Sequence, residues 1–165
     1  MYNEPYTPLL YTQSVTMKDT NYLYLLNSNA QVMKYIKEVE DYATATSVTN
    51  YMAYCNQRNP VLQHWLVKEQ ITDDFVGWFA LQPSDNKEYI EIAYRFLPAY
   101  WNKGYATDIG KQVLHYAFLQ KIQKITAITD KNNLASIKVL LKLGFLLLPN
   151  PNYAHLPVNY FEICY

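Results

Sequence analysis

Hydrophobic and polar positions change period several times along the chain, and each period predicts an element. Residues 9–15 (LLYTQSV) read as a short strand. Thr16-Met17-Lys18-Asp19 then has the form of a capping box opening a helix, with an acid placed to reach back to the first amide. Tyr22, Leu25 and Leu26 give that helix an apolar face. Over residues 47–58, Val48, Tyr51, Met52 and Cys55 recur at helical spacing as one buried stripe, and Pro60 supports a stop. Strand-like runs follow. In 61–68, Val61, Trp65 and Val67 share a face, whereas in 75–81 (FVGWFAL) nearly every position is apolar, as in a buried central strand. In 89–96 (YIEIAYRF), Ile90, Ile92, Tyr94 and Phe96 alternate with Tyr89, Glu91, Ala93 and Arg95. Turns at 72–74 and 83–87 keep these runs close, so they are expected to pair antiparallel.

The second half has a different rhythm. Ile109, Val113, Tyr116 and Ala117 make one stripe of a helix over 105–120; residues 124–129 (KITAIT) form a strand and 134–143 another helix. The strand at 89–96, the helix and the strand at 124–129 make a βαβ crossover, which predicts one parallel pair. Strands near 145–148 and 157–164 close the chain. The order is that of one mixed sheet covered by helices, an α+β fold.

Composition narrows the function classes. A length of 165 residues fits a single domain over 1–165. Lys+Arg and Asp+Glu are 14 each, and the only arginines are Arg58 and Arg95, so the basic footprint of a nucleic-acid binder is missing. A hydrophobic fraction of 50% argues against disorder. No apolar run reaches the ~18–20 residues of a membrane span, and MYNEPYTPLL lacks the layout of a signal peptide. The expectation is a cytoplasmic protein with no membrane partner. Cys55 and Cys164 stand apart as free thiols; His64, His115 and His155 are scattered, and no HExxH or acidic calcium loop is present, so no metal site is expected.

Glycine is scarce. Only Gly77, Gly104, Gly110 and Gly144 occur, against roughly 12 at average usage. Gly77 in mid-strand predicts a bulge or a close backbone approach, and Gly110 close helix–sheet packing. Gly104 lies in PAYWNKGYAT, between a strand and a helix. Such a joint aims free first-turn amides, and the positive end of the helix dipole, at whatever sits above the loop. Asn102 tolerates positive φ, Lys103 adds a mobile charge, and small Ala106 permits close approach. By these residues the segment is either an anion cradle for phosphate or an ordinary Lys-Gly connection; it is neither a Walker loop nor a GxGxxG fingerprint. Gly144 lies in NLASIKVLLKLGFL, where Asn133 is a good N-cap, Ile137, Leu140 and Leu141 form the stripe, and the glycine ends the helix.

Together, EIAYRFLPAYWNKGYATDIG and NLASIKVLLKLGF resemble the two cofactor segments of the GNAT superfamily of acyl-CoA-dependent N-acyltransferases, in its RimJ/RimL-like branch. VTMKDTNYLYLLNSNAQVMKYI and FVGWFAL are similar to that family's N-terminal region and third strand, so the likeness spans nearly the whole chain. The resemblance implies a mixed, mostly antiparallel sheet whose central parallel pair splays around acetyl-CoA, with helices on both faces. It implies that loop residues Trp101, Asn102, Lys103, Gly104, Tyr105, Ala106 and Thr107 hold the pyrophosphate, chiefly through the amides from Asn102 to Thr107. It implies that Phe96 and Leu97 pair with pantetheine, and that Asn133 and Ser136 lie along its arm. The implied reaction is direct acetyl transfer to an amine. The expected partners are acetyl-CoA and an amine acceptor, and the expected state is monomer or homodimer.

The chain departs from the family pattern at Trp101, Ala93, Asn102 and Leu140. Leu140 stands where many members carry a tyrosine acid, which shifts protonation of the leaving thiolate to Ser136, a water or another tyrosine. The amine must also lose a proton. Glu91 is the first candidate for that base, with His155 as an alternative. The oxyanion requires a preorganised N–H, which the resemblance places near Tyr94. Tyr35 and Tyr42 are candidates to frame the acceptor. The alternative function is a non-catalytic acyl-CoA sensor on the same fold, a reading that Leu140 keeps open.

Overall fold

The computed structural model describes residues 4–84, 89–149, 153 and 155–164. The predicted turn at 83–87 lies largely outside them. The elements run β1 (Leu10–Ser14), α1 (Thr20–Asn27), α2 (Ala30–Met33), α3 (Tyr42–Arg58), β2 (His64–Glu69), β3 (Phe75–Pro83), β4 (Ile90–Phe96), α4 (Tyr105–Leu119), β5 (Lys124–Asp130), α5 (Leu134–Lys142), β6 (Leu146–Leu148) and β7 (Val158–Cys164). One sheet of seven strands carries them in the order β1-β2-β3-β4-β5-β7-β6. Every pairing is antiparallel except β4 with β5, as the crossover predicts.

Local chemistry accounts for most boundaries. The capping box forms as expected: Asp19 Oδ2 accepts from the Thr16 amide at 2.8 Å, and the Thr16 hydroxyl accepts from Lys18 N. It opens a single 3-10 turn, Met17–Asp19, that leads into α1. α3 begins at Tyr42, five residues before the predicted start, because Asp41 caps it by accepting from the Thr44 amide at 2.7 Å. Its buried stripe is Ala45, Thr49, Met52 and Ala53, so Tyr51, at 66% exposure, turns outward rather than inward. Leu25 and Leu141 are likewise exposed, while Leu23 and Leu26, and Leu140, are the buried members of their helices. The short α2, capped by Asn29, has too few turns to leave a periodic signal.

Two cores form, one on each face of the sheet. On one side Phe79, Ile92, Phe96 and Ile125 pack with Ile109, Val113 and Ala117 of α4 and Leu140 of α5. On the other, Leu66, Phe75, Trp78 and Ala80 pack with Leu23 and Leu26 of α1 and Met52 of α3. β3 is buried along most of its length, as its unbroken apolar run requires.

The parallel pair is incomplete. β4 and β5 are in register only at Ile90–Ile125 and Glu91–Thr126, where Thr126 Oγ1 donates to Ile90 O at 3.2 Å. β3 holds β4 from Ile90 to Phe96, and β7 holds β5 from Lys124 to Asp130. Each strand is thus anchored on its outer side while the two part company, leaving a cleft that widens toward their C-terminal ends.

Candidate functional site

The cleft is lined first by backbone. Leu97 N donates to Val76 O at 3.0 Å, which directs the odd-numbered peptide groups of β4 at β3. By alternation, the N–H and C=O groups of Ile92, Tyr94 and Phe96 point toward β5, and so into the cleft. Trp101 fixes the lip: its indole N–H donates to Phe96 O at 2.6 Å. Leu97 does not share the pairing expected of it. Its amide serves β3, and its carbonyl accepts from Tyr100 N at 2.9 Å. The groups left for an extended ligand are those of Tyr94 and the Phe96 amide.

Above the cleft, residues 97–104 turn the chain from β4 into α4. A 3-10 turn at Pro98–Tyr100 precedes Asn102 and Gly104, whose φ values of 60° and 84° are both left-handed. Asn102 adopts the conformation that its side chain tolerates, and Gly104 takes the cap position with no side chain to fill it. The Thr107 and Asp108 amides both donate to Gly104 O at 3.0 Å. The amides of residues 104–106 find no acceptor among the described residues, so open donors stand at the positive end of a 15-residue helix. Thr107, by contrast, spends its amide on the helix. The Lys103 ammonium lies 4.9 Å from the Tyr100 ring centroid and 5.9 Å from that of Tyr105. Tyr105 is itself tied to Glu69 Oε1 by its hydroxyl at 2.7 Å.

The opposite wall is the start of α5. Asn133 Oδ1 accepts from Ser136 N at 3.1 Å, the predicted cap. At the other end, Gly144 takes φ 92° and Phe145 N donates to Leu140 O at 3.1 Å, a left-handed stop. Leu140 is 1% exposed and belongs to the core. Ser136 faces the cleft and meets Tyr94: the two hydroxyl oxygens are 2.9 Å apart, and the phenol also reaches Ser136 O at 3.3 Å. The Tyr94 ring stacks on Phe79 at 5.2 Å. Burial pushes its phenol up to about 12, against a smaller opposing pull from Ser136.

On the other face of β4 stand Glu91, Ala93 and Arg95. Glu91 is half-buried at the last paired position before the cleft opens, and Gln82 Nε2 donates to its Oε1 at 2.9 Å. Arg95 lies 5.3 Å over Trp78 and donates from Nη1 to Asn27 Oδ1 at 2.7 Å. Asn27 donates onward to Glu40 Oε2 at 2.8 Å, and Lys37 pairs with the other oxygen of that carboxylate. Burial lowers the Arg95 pKa, and Glu40 opposes the shift. This buried chain has no sequence signature, since Asn27, Glu40 and Arg95 come from separate elements. His155 is exposed. Tyr42 packs edge-on to Tyr24 and donates to Asn21 Oδ1 at 3.0 Å, and Tyr35 lies under Lys34. None of these is tied to the β4 groups by a described contact.

An open groove between residues 4–8 and Gln112, His115 and Leu119 of α4 lies away from the cleft and gathers no charged cluster. Among the described residues, no set of three His, Cys, Asp or Glu side chains stands together as a metal site, and no helix is long and apolar enough to cross a membrane.

Comparison with known proteins agrees with this geometry. Residues 10–146 match the family model of the acetyltransferase (GNAT) domain. The chain is 30% identical over 126 residues to the uncharacterised protein YkkB of Bacillus subtilis (strain 168), covering 73% of this chain and 71% of that one. It is 26% identical over 143 residues to the uncharacterised N-acetyltransferase YoaA of the same strain, covering 84% and 80%. Among solved structures, RimL, the ribosomal L7/L12 alpha-N-protein acetyltransferase in complex with coenzyme A, superposes with a TM-score of 0.81 at 16% identity, over 97% of this chain and 96% of that one.

Proposed function

The chain belongs to the GNAT acetyltransferase family, whose members move acetyl from acetyl-CoA to an amine, and we propose that it acts on a primary amine by direct transfer, as a RimJ/RimL-like enzyme built from one domain over residues 1–165. The observation that carries this reading is the set of open amides at residues 104–106, standing over a cleft walled by unpaired β4 backbone. A diphosphate fits these donors without a Walker lysine, and pantetheine fits the cleft as a missing strand fits a sheet edge.

The chain's own groups then divide the work. The Tyr94 N–H is placed to receive the oxyanion that forms as the amine nitrogen attacks the thioester carbon. Glu91 is the candidate to accept the ammonium proton, directly or through water, while Gln82 holds its carboxylate. As the C–S bond breaks, the Ser136 hydroxyl donates to the departing sulfur. The acceptor is a protein N-terminal amine or a small-molecule amine, and the likeness to RimL supports including the first. The second reading is an acyl-CoA sensor without transfer, favoured by the burial of Leu140.

Thiol release from acetyl-CoA, measured against free-N-terminus peptides, polyamines, amino acids and aminoglycosides, separates the two. Release driven by one amine class supports transfer. Tight acetyl-CoA binding with no release by any amine supports the sensor. Failure of CoA to raise the thermal midpoint overturns both.

A further inference from the structure

We propose that Tyr94 is a positioning residue that aims the Ser136 hydroxyl at the sulfur of CoA, a role that rests on the acetyltransferase reading above. The two residues come from opposite walls of the cleft. Tyr94 sits on the diverging half of β4, past the last β4–β5 pair, and Ser136 in the first turn of α5. Their hydroxyls meet at 2.9 Å. The phenol therefore joins the two walls of the cleft beyond the last β4–β5 pair.

The hydrogen-bonding inventory of the serine explains what the bridge does. Its amide is spent on Asn133 Oδ1, and its carbonyl, part of the helix ladder of α5, lies 3.3 Å from the Tyr94 phenol. Only the hydroxyl is free to rotate. A seryl hydroxyl carries one donor and two acceptor sites. A phenol is the better donor of the two alcohols, and its oxygen lies nearer Oγ, at 2.9 Å, than the carbonyl, at 3.3 Å, so the favoured arrangement has Tyr94 donating to Ser136 Oγ. The single seryl proton must then point elsewhere, and the open direction is the cleft. Without the phenol, a serine in a helix turns its proton back to a carbonyl one turn earlier. The phenol thus keeps Ser136 as a donor toward the ligand.

The phenol does this without titrating. It is held up to about 12 by burial, well above a thiol at ~8.5, so it keeps its proton across the range in which the CoA thiol titrates. The pair stabilises the thiolate by hydrogen bonding, and no proton leaves Tyr94. The stacking on Phe79 fixes the ring plane, in which the O–H lies.

The test needs no acceptor. Free CoA is bound to the full chain, and its thiolate absorbance in the ultraviolet is followed against pH, with desulfo-CoA as the blank. Ser136→Ala is expected to raise the bound thiol's pKa by about one to two units, the worth of a hydrogen bond to a charged group. Tyr94→Phe, which keeps the ring, is expected to reproduce most of that rise, and the double variant to add nothing. A Tyr94→Phe complex with the wild-type thiol pKa, or shifts that add in the double variant, would overturn the proposal. If Tyr94→Phe does not fold, a monofluorinated tyrosine at position 94, a stronger donor of nearly the same shape, is expected to lower the bound thiol's pKa; an unchanged value overturns the proposal. Loss of CoA binding by the wild-type chain would be seen before any titration, and would remove the acetyltransferase reading itself.

Discussion

Gly77 faces the Arg95 peptide so closely that a β-carbon there would stand 2.3 Å from Arg95 O and 2.9 Å from Phe96 Cα. The strands can come this near because Gly77 has no β-carbon, at a point where the β2–β3 register also shifts, with Val67 opposite Gly77 and Lys68 opposite Phe75. The crowding atoms are backbone, and they belong to the lip of the cleft. Gly110 offers a contrast: a β-carbon there would meet only the methyl tips of Leu143, at 2.9 and 3.0 Å.

The same substitution at the two glycines should therefore have different costs. Gly77→Ala is expected to destabilise by about 2–3 kcal/mol, because β3 and β4 must move apart. Gly110→Ala gains ~1 kcal/mol of helix propensity, which offsets the displacement of Leu143, and should fall within about 1 kcal/mol of wild type. Denaturant midpoints measure both. Equal losses would contradict the distinction between backbone and side-chain crowding.

Gly104 is constrained by conformation rather than by space. Its φ is 84°, and the nearest atom to a β-carbon is Asp108 Oδ2 at 3.9 Å. A β-branched residue strains at such a φ by about 1–3 kcal/mol, and the loop can escape by rotating its amides. Gly104→Val is expected to weaken CoA binding by more than about tenfold while the unliganded thermal midpoint moves little. Gly104→Asn should retain more affinity, since Asn102 already holds φ 60° two residues away. Calorimetric titration with CoA reads both variants, and full affinity in the valine variant would remove the cradle assignment.

Period and punctuation made the sheet legible, and the reasons lie in particular residues. β3 reads as buried because FVGWFAL has no polar face to give to water. The β4–α4–β5 crossover follows from two strand periods around one helix period. Helix phase was harder to read: Leu25, Tyr51 and Leu141 fit an apolar stripe by spacing, yet the contacting face was set by Leu23, Ala45, Ala53 and Leu140. Small residues carry little weight in a periodicity count and much in close packing. Around the cleft, Asn102, Gly104 and Asn133 were readable, as was Gly144 at the far end of α5, because left-handed turns and caps favour few residue types. The Trp101–Phe96 bond, the Tyr94–Ser136 pair and the Arg95–Asn27–Glu40 chain were not, because each joins segments whose proximity only the fold decides.

That last chain makes a prediction of its own. Arg95 is half-buried, and Asn27 and Glu40 are buried at 0% and 7% exposure. Removing Glu40 leaves Arg95 without its acidic neighbour, and removing Arg95 leaves Glu40 with only Asn27 and the exposed Lys37. Arg95→Met and Glu40→Gln are each expected to cost about 2–4 kcal/mol, and the double variant less than their sum by at least ~1 kcal/mol. A double-mutant cycle in denaturant gives the coupling directly; strict additivity would show that the two charges do not act through Asn27.

His64 sets an acid limit on stability. Its ring is buried, stacks on Trp78 at 5.8 Å, and has no hydrogen-bond partner for Nδ1 among the described residues. Burial pushes its pKa down to about 4. The unfolded chain protonates near pH ~6.5, so below that pH it binds a proton that the folded chain refuses. The contribution of His64 is complete above pH ~6.5 and is lost as the pH falls toward about 4, a total of about 3 kcal/mol at ~1.4 kcal/mol per pH unit. Glu69, Asp73 and Glu162, each held below the ordinary carboxylate range by hydrogen bonds, give up their contributions only at lower pH. Denaturant unfolding at intervals between pH 7 and 4 should therefore show a slope that His64→Phe removes. If the variant keeps the wild-type slope, the acid sensitivity in that window comes from another group, and the histidine must gain a partner or a water when it protonates.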